Sequence, residues 1–244
     1  MVRVALVTGA AQGIGRGIAL RLASDGLDVA VNDLPSKQAA LASLVSEIEA
    51  MGRQSRILPG DVADEGQVES MVAVTVKELG GLDVMVANAG ICPYNESILN
   101  VDVDHYEHIF AVNVRGVLLC YKHAAKQMIA QGRGGRIIGV QAWANLLAYS
   151  ASKFAIRGLT QSAAVELAKH GITVNAYAPG AVDTPLLRPE GKEGLDLDQL
   201  ATVIPVGRVA EPADIAHVVS FLASEKASFM TGQTVSSNGG YLLT

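Results

Sequence analysis

The feature that most constrains this chain is a regular alternation of short apolar runs with longer segments of helical periodicity. The runs are rich in Val, Ile and Ala and lack a strict polar alternation, which is typical of strands buried on both faces. We predict seven strands, at Val2–Thr8, Asp28–Asn32, Gln54–Pro59, Leu82–Ala87, Gly135–Val140, Ile172–Tyr177 and Gln233–Ser237, and six helices, at 14–25, 36–51, 65–79, 103–130, 149–170 and 211–223. This pattern predicts an α/β fold, a doubly wound parallel sheet of seven strands with helices on both faces.

The length of the chain, 244 residues, is enough for one domain with a substantial core. No linker, repeat or low-complexity tract divides it, so we expect a single domain over residues 1–244. The segment 185–205 contains three prolines and two glycines and is predicted to be a mobile loop. Because it follows a strand, it should lie at the carboxyl edge of the sheet, where ligands bind in such folds.

Composition excludes several classes of function. The formal net charge is −5 and there is no long basic block, which argues against nucleic-acid binding. The apolar runs are too short to span a membrane, and a strand-like run from Val2 leaves no room for a signal peptide, so we expect a cytoplasmic protein. Two cysteines, Cys92 and Cys120, do not make a disulfide framework, and we predict no metal site.

A glycine-rich turn, Thr8-Gly9-x-x-x-Gly13-x-Gly15, joins the first predicted strand to the first helix. Glycines there permit a tight turn and close approach of the backbone to a phosphate, and the helix N-terminus adds free N–H groups. Asp33 closes the second strand, where a carboxylate accepts hydrogen bonds from ribose hydroxyls and repels a 2′-phosphate. This favours NAD over NADP. Arg16 is either a competing phosphate contact or an ordinary surface arginine.

Tyr149 and Lys153 stand four residues apart in a segment of helical periodicity, so their side chains should be neighbours. A free phenol, with a pKa of about 10, is a poor proton carrier at neutral pH. An adjacent ammonium stabilises the phenolate, so we expect Lys153 to lower the pKa of Tyr149. The pair then suits a general acid or base acting on a substrate oxygen.

Taken together, the motifs resemble those of the short-chain dehydrogenase/reductase family over essentially the whole chain. They are Thr8-Gly9-x-x-x-Gly13-x-Gly15, Asn88-Ala89-Gly90, Asn113, Tyr149-x-x-x-Lys153 and Pro179-Gly180. Further similarity, at 153–161 and 230–233, is to diacetyl/acetoin reductases and related secondary-alcohol dehydrogenases. The resemblance implies a Rossmann-type fold, hydride transfer between a nicotinamide and a small-to-medium ketone or secondary alcohol, and a homotetramer formed through helices 103–130 and 149–170.

The resemblance also assigns roles to residues of this sequence. It implies three catalytic residues: Asn113, which would hold a water in a proton relay, with Tyr149 and Lys153. The implied cofactor-binding residues are Gly9, Gln12, Gly13, Ile14, Gly15, Asp33, Asp61, Val62, Asn88, Ala89, Gly90, Tyr149, Lys153, Pro179, Gly180, Val182 and Thr184. Asn88 and Asn113 are alternatively buried amides that satisfy backbone groups, and Asp61 is alternatively a helix cap.

The pattern breaks before the tyrosine. Family members carry a serine about a dozen residues upstream, but no serine lies between Val140 and Tyr149, and the connection 141–148 is short. Three readings follow: Gln141 or Asn145 supplies the missing donor, catalysis is slowed, or the protein binds a dinucleotide without turnover. Loss of one such donor typically costs ~3–4 kcal/mol of transition-state stabilisation. The predicted substrate pocket is mostly apolar and is formed by Gln141, Trp143, Leu146 and Tyr177.

Overall fold

The fold, seen in a computed structural model that describes residues 2–92, 98–141, 146–188 and 196–243, is built around one parallel sheet. The strands are β1 Val4–Thr8, β2 Asp28–Asp33, β3 Ser55–Pro59, β4 Val84–Ala87, β5 Gly135–Val140, β6 Ile172–Pro179 and β7 Thr234–Ser237. They lie in the order β3-β2-β1-β4-β5-β6-β7, and every neighbouring pair is parallel. The predicted seven-stranded doubly wound sheet is therefore confirmed.

Helices cover both faces of this sheet. They are α1 Gly13–Ser24, α2 Gln38–Ala50, α3 Glu65–Leu79, α4 Val103–Phe110, α5 Gly116–Gln131, α6 Leu147–Leu167, α7 Leu197–Val203 and α8 Pro212–Ala223. Short 3-10 turns lie at Pro35–Lys37, Ala168–His170 and Glu225–Ala227. Among the described residues, no helix is both long enough and apolar enough to span a bilayer.

Two helix predictions and one loop prediction need correction. The segment predicted as one helix over 103–130 is interrupted by a π turn, Ala111–Arg115, between α4 and α5. Helix α6 begins at Leu147, two residues before Tyr149. The predicted loop 185–205 contains α7, whose first turn is capped by the Asp196 carboxylate through the amides of residues 198 and 199; residues 189–195 lie outside the described chain.

The core has two halves, one on each face of the sheet. On β1, Ala5 and Val7 belong to the half that includes buried residues of α1, α2 and α8, whereas Leu6 belongs to the half that includes α3, α5 and α6. All five β1 side chains are buried. Burial on both faces explains why the strand sequences show no polar alternation.

The strand order fixes where a ligand can bind. Connections from β1 proceed outward to β2 and β3, and the chain then returns to β4 on the other side of β1. Between β1 and β4 the helices that follow the strands diverge to opposite faces, which leaves a crevice at the carboxyl ends. The glycine turn after β1 lies at this point.

Helix α1 packs closely against the end of β1 at Gly15, in its first turn. An added Cβ would overlap the carbonyl oxygen of Gly9 and lie 2.5 Å from Nδ2 of Asn88. We expect Gly15→Ala to lower the free energy of unfolding by about 2 kcal/mol, because the backbone must shift. Urea unfolding measures this change.

The matched control is Gly158→Ala, at an exposed position of α6 where a Cβ would meet nothing within 4 Å. It should raise the free energy of unfolding by about 0.5–1 kcal/mol, because alanine loses less backbone entropy in a helix. Equal effects of the two substitutions would contradict the packing described for Gly15.

Candidate active site

A cavity of about 840 Å³ opens at the carboxyl edge of the sheet. It extends from the ends of β2 and β3, past the glycine turn and the end of β4, to the first turns of α6 and the segment after β6. Every residue assigned above to the dinucleotide lines it: Gly9, Gln12, Gly13, Ile14, Gly15, Asp33, Asp61, Val62, Asn88, Ala89, Gly90, Tyr149, Lys153, Pro179, Gly180, Val182 and Thr184. The fold thus brings these dispersed motifs to one surface.

The glycine turn is held by a cross-link between the ends of β1 and β4. Asn88 Nδ2 donates to the carbonyl oxygens of Thr8 (2.8 Å) and Gly9 (3.2 Å). The Thr8 hydroxyl accepts the amides of Asn88 and Ala89, each at 3.1 Å. Asn88 therefore satisfies backbone groups and also lines the cavity. Its two predicted roles, as a cofactor-binding residue and as a structural amide, are compatible with each other.

The turn itself leaves room for a phosphate. Gly9 has φ 64° and Gly13 φ 55°, values that favour glycine, and a Cβ on Gly13 would lie 3.1 Å from Cγ2 of Thr184. Helix α1 has no side-chain cap at Gln12 and no acidic residue in its first turn. Its first N–H groups and the positive end of its dipole are therefore available to an anion.

Asp33 is oriented by two backbone amides at the end of β2. Its Oδ2 accepts the amide of Ala11 at 3.0 Å, and its Oδ1 accepts that of Leu34 at 2.9 Å. Arg16, the alternative phosphate contact, forms an ion pair with Glu47 on α2, as a surface helix arginine does. A cation next to this part of the wall is Lys37, whose Nζ donates to Oε1 of the lining residue Gln12 at 3.3 Å.

Asp61 lines the cavity beyond the end of β3. Its Oδ1 accepts the amide of Ala63 at 2.9 Å, whereas the carboxylate that caps α3 is that of Asp64, which accepts the amide of Gln67 at 2.9 Å. The alternative role of Asp61 as the cap of α3 is therefore wrong.

Tyr149 and Lys153 lie side by side on α6, with the Lys153 Nζ 5.1 Å from the centre of the tyrosine ring. Lys153 is only 2% exposed, and its Nζ donates to the carbonyl of Val140 at 3.3 Å. Burial lowers the pKa of Lys153 to about 8. Burial also raises the pKa of Tyr149, and the nearby thiol of Cys92 adds to the rise.

The expected lowering of the Tyr149 pKa by Lys153 is therefore wrong for this arrangement. The pKa of Tyr149 is raised, chiefly because burial desolvates the phenolate. The buried lysine itself loses part of its preference for the charged form.

Asn113 lies behind the cavity wall. It sits in the π turn, is fully buried, and is not among the lining residues. Its Oδ1 accepts the amide of Ile91 and its Nδ2 donates to the carbonyl of Ile91, both at 2.9 Å. Its Nδ2 also donates to the hydroxyl of Ser152 at 3.1 Å. The side chain thus bonds to groups of the protein, as the alternative interpretation held.

The four residues predicted for the substrate pocket have different positions. Leu146 lines the cavity, while Trp143, like Asn145, lies outside the described residues. Tyr177 is a correction: it is fully buried in the core, and its hydroxyl donates to Oδ1 of Asn88 at 2.7 Å. Tyr177 therefore lies directly behind the cavity wall, in contact with the lining residue Asn88, but does not line the cavity itself.

The predicted position of Gln141 in the substrate pocket is also wrong. Its amide donates to the carbonyl of Tyr177 at 2.8 Å, so the strand ladder continues through it. Side-chain alternation places it on the same face as Gly139, where a Cβ would lie 3.3 Å from Ile156 of α6. Gln141 is 1% exposed, and neither polar atom of its side-chain amide has a hydrogen-bond partner among the described residues. It is a buried polar group and does not line the cavity.

The wall away from the glycine turn is largely apolar in its described part. Its lining residues are Ile91, Cys92, His108, Val112, Leu146, Leu186, Leu187, Leu200, Ile204 and Tyr241. Leu186, Leu187, Leu200 and Ile204 belong to the 185–205 segment, which was predicted to lie where ligands bind. His108, Val112 and Tyr241 belong to no motif in the sequence and were not predicted. The segment that carries Tyr241 is held to the end of α7, because the amide of Val206 donates to the carbonyl of Gly239 at 3.1 Å.

Comparisons with known proteins agree with this geometry. A family model described as enoyl-(acyl carrier protein) reductase matches residues 9–242. A short-chain dehydrogenase/reductase of Armillaria gallica is 52% identical, over 98% of this chain and 95% of that protein.

Two solved structures share the fold over nearly all of both chains. An acetoin dehydrogenase of Salmonella typhimurium has a TM-score of 0.88 at 33% identity, covering 99% of this chain and 96% of that one. A blue fluorescent protein from a metagenomic library, in complex with NADPH, has a TM-score of 0.89 at 35% identity, covering 99% and 98%. With the sheet, the glycine turn and the Tyr149–Lys153 pair, these matches show that the chain belongs to the short-chain dehydrogenase/reductase family of oxidoreductases.

Proposed function

We propose that this protein transfers hydride between NAD(H) and a small-to-medium ketone or secondary alcohol, with Tyr149 as the general acid and base. The observation that carries the proposal is that Tyr149 and Lys153 share one cavity wall with the glycine turn and Asp33. A proton-transfer group and a dinucleotide site at two ends of one cavity are what such a reaction requires.

The residues present fit a nicotinamide dinucleotide. Gly9 and Gly13 line the cavity without a side chain, and the first turn of α1 has uncapped amides for the pyrophosphate. The carboxylate of Asp33 would bind the adenosine ribose, and Lys153 the nicotinamide ribose. Bound nicotinamide supplies or accepts the hydride.

The protein's own part in the reaction is to move one proton. Because burial raises the pKa of Tyr149, its phenol is protonated at neutral pH and can donate to a carbonyl oxygen as reduction proceeds. In the oxidative direction the phenol must first lose its proton. Lys153, charged below its pKa of about 8, is the cation beside it that stabilises the phenolate.

We propose NAD as the preferred coenzyme because Asp33 lines the part of the cavity next to the glycine turn. A fixed carboxylate repels the 2′-phosphate of NADP and accepts hydrogen bonds from ribose hydroxyls. NADP is the competing coenzyme. One structural relative binds NADPH, and the ammonium of Lys37 lies near the glycine turn, where a cation can attract a phosphate.

The substrate class is proposed from the apolar described wall. Leu146, Leu187, Leu200 and Ile204 offer contact area but no groups that bind an anion, which disfavours phosphorylated sugars. A ketone or secondary alcohol with an apolar body matches these surfaces. The similarity to an acetoin dehydrogenase supports a ketone as the reacting group.

A catalytically silent dinucleotide-binding protein is the second candidate. It is favoured by the absence of a serine between Val140 and Tyr149 and by the unpartnered amide of Gln141 at the end of β5. We rank slowed catalysis above it, since Tyr149 and Lys153 are both present on the wall.

We also propose a homotetramer. Leu118 on α5 and Phe154 and Val165 on α6 are large apolar side chains that remain exposed, and Val165 is 84% exposed. Such surfaces are typical of contacts between subunits. A cytoplasmic location remains a prediction from the sequence.

Tyr149→Phe tests the proposed chemistry. Removing the hydroxyl should lower kcat by about 10³-fold, because it removes the proposed proton donor. NADH binding, followed by fluorescence, should change less than twofold. Turnover is measured by nicotinamide absorbance with a panel of ketones and secondary alcohols.

The control is Tyr106→Phe on α4, whose ring stacks on Phe110 and does not line the cavity. It should retain full turnover. Unchanged turnover in Tyr149→Phe would reject the mechanism, and NADH binding without turnover of any panel substrate by the unsubstituted protein would favour the silent candidate.

Asp33→Asn tests the coenzyme preference. It removes the negative charge while keeping an acceptor for the backbone amides, so the ratio of kcat/KM for NADP to that for NAD should rise by about tenfold, equivalent to ~1.4 kcal/mol. Steady-state kinetics with both coenzymes measure the ratio. Asp25→Asn, at the far end of α1, should leave it unchanged; a protein that already prefers NADP would contradict the assignment.

Lys153→Met tests the cost of burying the lysine. The folded-state pKa of about 8 lies below the ordinary 10.5, so charged Lys153 destabilises the fold below pH 8 and this cost fades as pH rises toward 10.5. The substitution should therefore raise the free energy of unfolding at pH 7, with a smaller gain at pH 9.5. Urea unfolding at both pH values measures it.

Lys169→Met, at an exposed position after α6, is the control and should show no gain that depends on pH. A gain of equal size at pH 7 and pH 9.5 in Lys153→Met would show that packing, and not desolvation of the ammonium, causes the effect.

A further inference from the structure

The first turn of α6 carries Tyr149, so the contacts that hold this turn also position the tyrosine. Helix α6 begins at Leu147, and its N-cap residue, Leu146, has no side chain that can cap it. The amide of Leu146 donates to the hydroxyl of Ser150 over a long distance, 3.4 Å. The first amides of a helix lack intrahelical partners, so an uncapped first turn frays. Another contact must keep Tyr149 in place.

Ser152 makes such a contact from inside the protein. Its hydroxyl donates to the carbonyl oxygen of Tyr149 at 2.7 Å and accepts Nδ2 of Asn113 at 3.1 Å. The side chain of Ser152 is fully buried, so water does not compete for these bonds. The backbone of Tyr149 is thereby tied to the π turn.

The π turn is in turn tied to the segment after β4. Asn113 exchanges two hydrogen bonds of 2.9 Å with the amide and carbonyl of Ile91. A single chain of bonds therefore runs from Ile91 through Asn113 and Ser152 to Tyr149. It joins three separate elements of the fold.

We propose that Ser152 is a positioning residue that fixes Tyr149 against the cavity. Its effect on turnover rests on the proposed function; its effect on the helix does not. Ser152 does not line the cavity, so it acts through the backbone of Tyr149 and not on the substrate. Small displacements of a reacting group lower rates strongly, by about 10²-fold for 1 Å.

The first arm of the test compares two buried hydroxyls on the same helix. Ser152→Ala removes the tether, and Thr160→Val removes the hydroxyl that lies 3.0 Å from the Tyr121 hydroxyl, two turns further along α6. Both should lower the melting temperature. Only Ser152→Ala should accelerate hydrogen exchange, by at least tenfold, of the amides of residues 151–153, whose helical acceptors are the carbonyls of residues 147–149.

The second arm measures kinetics. Ser152→Ala should lower kcat by about tenfold to 100-fold while KM and the Kd for NADH change less than twofold, and Thr160→Val should leave kcat unchanged. If Ser152→Ala does not fold, Ser152→Cys keeps the volume with a weaker donor and should show the same exchange and kinetic changes in smaller measure.

Exchange and turnover separate the two proposals. Unaltered exchange at 151–153, or equal acceleration by Thr160→Val, overturns the role of Ser152 whatever the turnover. Faster exchange with unchanged kcat also overturns it, since Tyr149 would then not depend on the tether. Absence of turnover in the unsubstituted protein rejects the proposed function, and exchange alone then decides whether Ser152 holds the turn.

Discussion

The site depends on the hydrogen bonds that Thr8 and Asn88 form across the ends of β1 and β4. These strands are neighbours at the point where the sheet changes direction, and their ends would otherwise present unpaired carbonyls and amides to the crevice. The Asn88 amide and Thr8 hydroxyl satisfy four such groups at 2.8–3.2 Å. The glycine turn can therefore be held without a side chain of its own, which keeps its surface open to a phosphate.

At the other end of the cavity, the dominant physical effect is burial of ionisable side chains. Tyr149 and Lys153 are polar groups placed where water is largely excluded, and both are shifted toward their neutral forms. The spacing of four residues predicted their proximity, because helical geometry is fixed by local bonding. It did not predict the direction of the tyrosine shift, because desolvation depends on residues packed from other parts of the chain.

The sheet was predictable almost to the residue, since strands buried on two faces give continuous apolar runs without polar alternation. The interruption at 111–115 was not, because a π turn has no marked residue preference and is set by tertiary bonds such as those of Asn113. Helix α7 could have been found from the cap residue Asp196. The burial of Gln141 could have been found from strand parity, since it shares the face of Gly139 and Ile137.

Tyr177 shows how the core and the two ends of the cavity are coupled. Its hydroxyl bonds to Asn88, which shapes the glycine turn, and its carbonyl accepts the amide of Gln141 at the end of β5. One fully buried residue thus bonds through its side chain to the support of the glycine turn, and through its backbone to the end of β5, the strand that precedes α6. A mutational survey that ranks residues by distance from bound ligand would class Tyr177 as a packing residue and overlook the hydrogen bond by which its hydroxyl supports the glycine turn through Asn88.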